Sequence, residues 1–358
     1  MRCAIIGYGN VGKASHILLS QKAQYIKQAY GVEIRVVAVA DIMGSAIHEK
    51  GLKPEDLIPY AEKHGTVALS DYGLKGFIGP ELLQKVKPDL VIEVTPTNIV
   101  NGEPGLSYIM TAIDIGAHVV TTNKGPFALK YREIMDKAKK QGVLVKLTGA
   151  VGGATRVLKY AEKCLAGEDI EDVRGILNGT TNYILTRMEE GISFEEALRE
   201  AQRMGIAEAD PTYDVEGIDA ACKIAILANA LLNENVTVHD ISREGISKIT
   251  KEDVAEALKS GETIKLIASA KELSVKPARI PVNHPLNVKG TLNAITFQTK
   301  NARELTIVGP GAGRFETAST VISDVIDIIE SLRRGLSCLL YTSPSPRDLS
   351  TSRMPSSA

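Results

Sequence analysis

A chain of 358 residues with a net charge of −1, 44% hydrophobic and 24% charged residues can hold two domains and has no broad basic field for nucleic acid. No apolar run reaches the roughly 18 residues of a membrane span, so neither nucleic acid nor membrane is expected as a partner. The chain opens directly on a strand-like run with no room for a signal peptide, and Cys3, Cys164, Cys222 and Cys338 show no paired spacing, which points to a reducing, cytoplasmic setting.

Residues 2–6 read as a short apolar strand, followed at once by GYGNVG and a helical pattern running to about Tyr30. A lone glycine fingerprint is weak evidence. Here it lies between a strand and a helix and is followed by a second strand, 34–40, which is the context a dinucleotide turn requires. Gly7 permits the tight turn, Gly9 lets the backbone approach a pyrophosphate, and Gly12 lets helix and strand pack closely. Asn10 and Val11 open the helix whose N-terminus meets the phosphates. Asp41 closes the second strand, where an acid bonds the adenosine ribose and favours NAD. His48, Lys50 and Lys53 lie just beyond and could receive a 2′-phosphate, so NAD and NADP both stay open.

Further strands at 89–96 and 118–124 alternate with helices at 105–115 and 131–141, and a strand follows in GVLVKLTG. This order predicts a doubly wound parallel sheet, with Thr95 and Lys124 at strand ends facing the nicotinamide or its substrate. From residue 150 the order becomes mixed. A glycine turn (150–154) opens a helix at 155–165, a strand spans 169–178, and helices follow from Thr180 and over 194–204. After an irregular stretch come a helix at 251–259 and strands at 263–270, 276–282, 292–299 and 303–308. A GPGAG turn then leads into a helix at 317–332. The fold class is therefore α/β, a Rossmann-type sheet over 1–149 with an α+β domain over 150–305. Residues 306–336 are read as a strand–turn–helix returning to the first domain. Residues 337–358, rich in Ser, Pro, Thr and Arg, have no period that could form a core and resemble vector read-through, so they are left out of the fold.

The most informative stretch is 201–232. Asp214 stands where an N-cap would, and the helix after it is apolar on nearly every side except for Lys223, four residues after Asp219. An Asp–Lys pair at this spacing is ordinarily structural. The apolar setting and the acidic loop carrying Glu208, Asp210 and Asp214 make it equally a site, because a buried ammonium is costly unless paired and used.

With these residues in view, the chain resembles the homoserine dehydrogenases. The resemblance rests on GYGNVG, TTNKGPFA from Thr121, TGAVGG from Thr148, GILNGTTNYILTRM from Gly175, AEADPTYDVEGIDAACKIAILA from Ala207 and VGPGAG from Val308. It implies NAD(P)H-dependent interconversion of L-aspartate 4-semialdehyde and L-homoserine in amino-acid biosynthesis, by a homodimer of the short form without a regulatory domain. Carried over by position, Lys223 would be the general acid–base, and Glu208 and Asp219 would hold the substrate amino group, with Asp214 beside them. Lys124 would lie near the reacting centre, and Gly205 and Gly311 would touch the cofactor. The family's sodium site, a Glu side chain with neighbouring carbonyls, falls on Thr148, Val151, Gly153 and Thr155, with threonine at the Glu position. Two other readings compete. One is an aldehyde dehydrogenase using Cys222 as a thiolate, for which no histidine pattern provides; the other is a non-catalytic NAD(P)-binding dimeric sensor, which would need no buried lysine.

Overall fold

In a computed structural model, which describes residues 1–335, the first apolar run is β1 (Arg2–Ile6) and the glycine turn leads straight into α1 (Asn10–Tyr30). β2 (Arg35–Ala40) pairs parallel to β1. The chain then departs from the sequence expectation: β3 (Gly44–Ile47) folds back antiparallel on β2, α2 (Pro54–His64) crosses over, and β4 (Gly73–Lys75) pairs antiparallel with β3. Strands of 4 and 3 residues, built around Gly44, Ser45 and Gly73, are too short to show an alternating pattern. α3 (Pro80–Val86), β5 (Leu90–Glu93), α4 (Gly105–Asp114), β6 (His118–Thr121), α5 (Lys124–Gln141) and β7 (Val145–Lys146) complete the domain. The sheet order is β4-β3-β2-β1-β5-β6-β7, parallel from β2 to β7. The winding reverses between β1 and β5, so a crevice opens at their carboxyl ends, where such sheets bind ligands.

α5 starts seven residues earlier than its periodicity suggested, at Lys124 rather than Tyr131. Gly125 and Pro126 read as breakers, yet proline costs nothing in a first turn, whose N–H groups have no intrahelical partner. The backbone does leave helical geometry at Lys130, which is where the sequence signal begins.

The second domain comprises α6 (Val157–Cys164), β8 (Ile170–Ile176), α7 (Gly179–Glu189), α8 (Phe194–Arg203), α9 (Thr212–Val215), α10 (Ile218–Leu231), β9 (Ser242–Arg243), α11 (Lys251–Lys259), β10 (Glu262–Ser269), β11 (Ser274–Pro281), β12 (Leu292–Thr299) and β13 (Arg303–Pro310). Its open sheet runs β13-β12-β8-β10-β11-β9, and α10 packs between this sheet and α5 of the first domain. β13 pairs with β12 along its whole length, so only α12 (Arg314–Arg333) returns to the nucleotide domain. There Val321, Val325 and Ile328 share a core with Cys3, Ile5, Leu19 and Ile26. The other face of α12 carries buried Asp324 and Asp327, the latter 3.4 Å from Lys146 of β7 and 3.4 Å from Lys159 of α6. The tail, 337–358, with Cys338, lies outside the described residues.

The glycine turn is anchored from behind by a buried histidine. His16 Nε2 lies 3.0 Å from Leu52 O, and its Nδ1 2.7 Å from the Tyr8 hydroxyl. A carbonyl can only accept, so Nε2 carries the proton and the neutral ring accepts from Tyr8. Burial pushes the His16 pKa down to about 4, although the Leu52 bond and the nearby Glu55 and Asp56 oppose it. Between that value and the ordinary value of 6.5 the unfolded chain binds a proton that the folded one excludes, so stability falls as pH falls through this window. Folding free energy in the wild type should therefore drop by about 3 kcal/mol more than in His16→Gln between pH 6.5 and 4, measured by urea unfolding.

Candidate active site

The dinucleotide end is built by contact. Gly7 has φ +94°, and a Cβ there would come within 2.6 Å of Val94 O; a Cβ on Gly12 would come within 2.0 Å of Gly7 O. Gly9 is different: open space surrounds it, it offers no side-chain cap, and no acid stands in the first turn of α1. The amide groups of Asn10, Val11 and Gly12 are thus left for an anion, with the helix dipole behind them. Asp41 lies at the expected strand end, but its carboxylate already accepts from the Met43 amide (2.8 Å), the Gly44 amide (3.2 Å), the Thr66 hydroxyl (3.0 Å) and the Val67 amide (2.6 Å). It clamps the β2–β3 turn first and has little capacity left for a ribose. His48 is stacked on Tyr72 and tied to Gly51 O at 3.0 Å, rather than presented toward a phosphate.

At the ends of β5 and β6 sits a carboxylate that the sequence reading passed over. Glu93 is completely buried. Its Oε1 accepts from the Thr95 amide (2.9 Å), the Thr95 hydroxyl and, at 3.5 Å, Asn123 Nδ2, while Oε2 accepts from the Thr121 hydroxyl at 2.8 Å. Asn123 in turn caps α5, its Oδ1 accepting from the Gly125 amide at 3.0 Å. Lys124 is therefore the first residue of a helix and not the last of a strand. Its ammonium reaches across the domain boundary to Asp219 Oδ1 at 3.3 Å.

Asp214 is not the N-cap of the long helix. It belongs to the separate turn α9, and Gly217, in the left-handed region at φ 73°, breaks the chain before α10 begins. Asp219 then falls in the first turn of α10 and Lys223 one turn later, each 7% exposed. Lys223 Nζ donates to Asp219 Oδ2 (2.6 Å) and to Leu177 O (2.5 Å). Burial works to raise the Asp219 pKa, but the Lys223 and Lys124 ammonium groups overcome it and hold the carboxyl far below its ordinary value. For Lys124, burial works downward and is outweighed by Asp219, so its pKa is raised. Asp214 is pushed up by burial and by the charge on Asp219.

Asn178 holds these carboxylates together. Its Nδ2 donates to Asp214 Oδ1 (2.6 Å) and Asp219 Oδ2 (3.0 Å), while its Oδ1 caps α7 through the Thr181 amide (2.9 Å). An asparagine between a strand and GTT is a recognisable N-cap, and that signal could have found it.

Other expected site residues stand apart. Glu208 and Gly205 are exposed on the loop after α8, where Gly205 only ends the helix at φ 69°. Gly311 faces the second glycine turn: a Cβ on Gly153 would meet Gly311 O at 2.6 Å, and one on Gly311 would strike the Asn293 amide. At the expected sodium loop the Thr155 hydroxyl is spent on Gly152 O (2.5 Å), and the Thr148 amide donates to Asp324 Oδ2 (3.0 Å). Val151 is buried beside them. Asp324 is fully buried, and burial raises its pKa to about 6 against the Thr148 hydrogen bonds and the Lys159 and Lys146 charges, so α12 brings an ionisable carboxyl to a loop whose own residue 148 is neutral. Cys222 is fully buried against the Tyr213 hydroxyl at 3.3 Å, and burial raises its thiol pKa, which does not suit a nucleophile.

A parallel sheet with a phosphate-binding turn, its strand ends facing a buried lysine held by carboxylates, defines an NAD(P)-dependent oxidoreductase. The comparisons with known proteins give the particular family. The family model for homoserine dehydrogenase matches residues 157–326, and that for its NAD-binding domain matches 7–147. The homoserine dehydrogenase of Methanocaldococcus jannaschii is 46% identical over 93% of this chain and 100% of its own. A crystal structure of a homoserine dehydrogenase from Thiobacillus denitrificans superposes with a TM-score of 0.81 at 34% identity, covering 93% of this chain and 74% of that one. A hyperthermophilic archaeal homoserine dehydrogenase in complex with NADPH gives 0.80 at 29%, covering 92% and 98%. The chain belongs to the homoserine dehydrogenase family.

Asn178→Ser keeps an N-cap acceptor but removes the bridge between the carboxylates. Stability should fall by about 1–3 kcal/mol, the cost of leaving buried carboxylate oxygens without their donor, while α7 stays capped. Without its donor Asp214 becomes harder to ionise, so the acid limb of kcat/KM should move to higher pH. A superimposable pH profile would separate Asp214 from substrate binding.

Proposed function

We propose that the chain reduces L-aspartate 4-semialdehyde to L-homoserine, with Lys223 as the general acid. The observation that carries this reading is the buried Lys223–Asp219–Lys124 group at the carboxyl ends of a dinucleotide-binding sheet. When bound, NAD(P)H supplies the hydride that adds to the aldehyde carbon. Negative charge then grows on the aldehyde oxygen, and the protein's part is to meet it with a proton. Lys223 has three donors; Asp219 and Leu177 O take two, leaving one N–H for that oxygen. Asp219 keeps the ammonium aimed, and in the reverse direction Lys223 takes the hydroxyl proton back. Asp219 and Asp214, with Glu208 brought in from its loop, supply anions for the substrate ammonium. Lys124 shares Asp219 and lies close enough to orient the reacting group. Asn10, Val11 and the glycines of the first turn hold the pyrophosphate, with Thr95 at the nicotinamide end and Gly205 and Gly311 beside it. Either NAD or NADP fits this assignment, since Asp41 is largely occupied within the protein.

Three further readings accompany it. A second copy pairs with this chain through the sheet domain, where edge strand β13 leaves Val308 48% exposed beside partly buried Leu305 and Ile307. A sodium ion would be held by carbonyls of the 148–155 loop with Asp324 as the anionic neighbour, and it would brace that turn against α12. The unpaired cysteines Cys3, Cys164 and Cys222 suit a reducing cytoplasm, and none of the described helices is long and apolar enough to cross a membrane. A dinucleotide sensor would have no use for a lysine buried between carboxylates.

Oxidation of NAD(P)H on adding aspartate semialdehyde tests the activity, and its absence in protein that binds cofactor would overturn it. Lys223→Met should lower kcat by ~10²–10⁴ while leaving NADPH affinity nearly unchanged, since the phosphate turn lies in the other domain. Retention of more than about a tenth of kcat would place the proton donor elsewhere.

A further inference from the structure

Among the described residues, Glu93 is a fully buried carboxylate at the crevice that the reaction above does not use. It ends β5, pairs in register with Ile6 on one side and Thr121 on the other, and thus lies one residue from Gly7 at the point where the winding reverses. None of its hydrogen-bond donors is a cation.

Burial raises the pKa of Glu93, and the four hydrogen bonds that its carboxylate accepts oppose that rise. The Thr121 hydroxyl accepts from the Asn123 amide at 3.0 Å, and the Thr95 hydroxyl accepts from Asn123 Nδ2 at 3.1 Å, so each sends its own proton to Glu93. Each of these neighbours is placed to donate to the carboxyl, which favours its anion over the acid. The hydrogen-bond network therefore favours an anion in a dry site, and among the described residues no cation hydrogen-bonds to it.

We propose that Glu93 is an electrostatic positioning residue that favours the oxidised, cationic nicotinamide over the reduced, neutral one. As the C4–H bond breaks, the hydride pair forms the new C–H bond of homoserine, the carbonyl pair moves to oxygen and takes the Lys223 proton, and the ring is left with one positive charge. A fixed anion beneath the ring end of the crevice stabilises that developing charge, and water cannot screen it away. Thr95 and Asn123 transmit the same carboxylate's position to the crevice surface and to the helix that begins with Lys124.

The test is the ratio of dissociation constants for oxidised and reduced cofactor in the purified full-length protein, read by NADPH fluorescence and its displacement by NADP⁺. Glu93→Gln, isosteric and neutral, should weaken NADP⁺ relative to NADPH by about tenfold. Glu93→Asp, which keeps the charge, should hold the ratio within about twofold. A purely structural role predicts equal losses for both cofactor forms, or none, and either result in folded Glu93→Gln overturns the proposal. Should that variant not fold, Thr121→Val makes the carboxylate easier to protonate by removing a donor. Its ratio should then drift against NADP⁺ as pH is lowered from 8 to 6, and a ratio identical to wild type at every pH overturns the proposal equally.

Discussion

The site depends on one carboxylate serving two ammonium groups from different domains. Asp219 receives Lys223 from its own helix and Lys124 from the nucleotide domain. Burying three charges costs several kcal/mol per ion unless geometry and further hydrogen bonds repay it. Here Leu177 O and Asn178 supply those bonds. The arrangement gains a fixed distance between α5, which begins at the ends of the parallel strands, and α10, which carries Asp219 and Lys223. A surface ion pair would give neither the precision nor the dry environment in which a single proton donor is effective.

Local chain geometry makes this possible at small cost. Gly217 reverses the backbone so that Asp219 enters the positive end of the α10 dipole, which favours its anion even before either lysine arrives. Asn123 does the corresponding work in the other domain. By capping α5 just after β6 it converts the end of a strand into the start of a helix, and so aims Lys124 along the crevice instead of out to solvent. The two caps explain why a loop of acids and a short TTNKG run, far apart in the chain, meet at one point.

Much of this was legible in the sequence. The glycine turn, the parallel strands β1, β2, β5 and β6, and the long helices α1, α10 and α12 have apolar periods that packing alone enforces, and they lie where expected. The antiparallel flap of β3 and β4 was not legible, since strands of 4 and 3 residues hold too few side chains to alternate. Asp214 and Gly217 both look like punctuation, and only the fold decides which one ends the turn. Asp41 shows a different limit: an acid at the end of β2 has the same spelling whether it binds ribose or clamps its own loop. Glu93 was missed because LVIEV reads as a strand in which glutamate seems merely to mark the edge, while its partners come from Thr95, Thr121 and Asn123, up to 30 residues away.

The return of α12 puts the first described strand and the last described helix in one domain. Val321, Val325 and Ile328 complete the core begun by Cys3, Ile5 and Leu19, with the entire sheet domain made in between. During synthesis, the first strand must wait on the ribosome for a helix roughly three hundred residues later, a closure of high contact order that slows folding and leaves an apolar face of α1 and the sheet uncovered. Of the second domain, α6 also leans on the last helix through Lys159 and Asp327, while α10 can pack against its own sheet as it emerges. A lesion in α12 would therefore strike at β1 and α1, in the core beneath the glycine turn, and leave the Lys223–Asp219 pair of α10 standing.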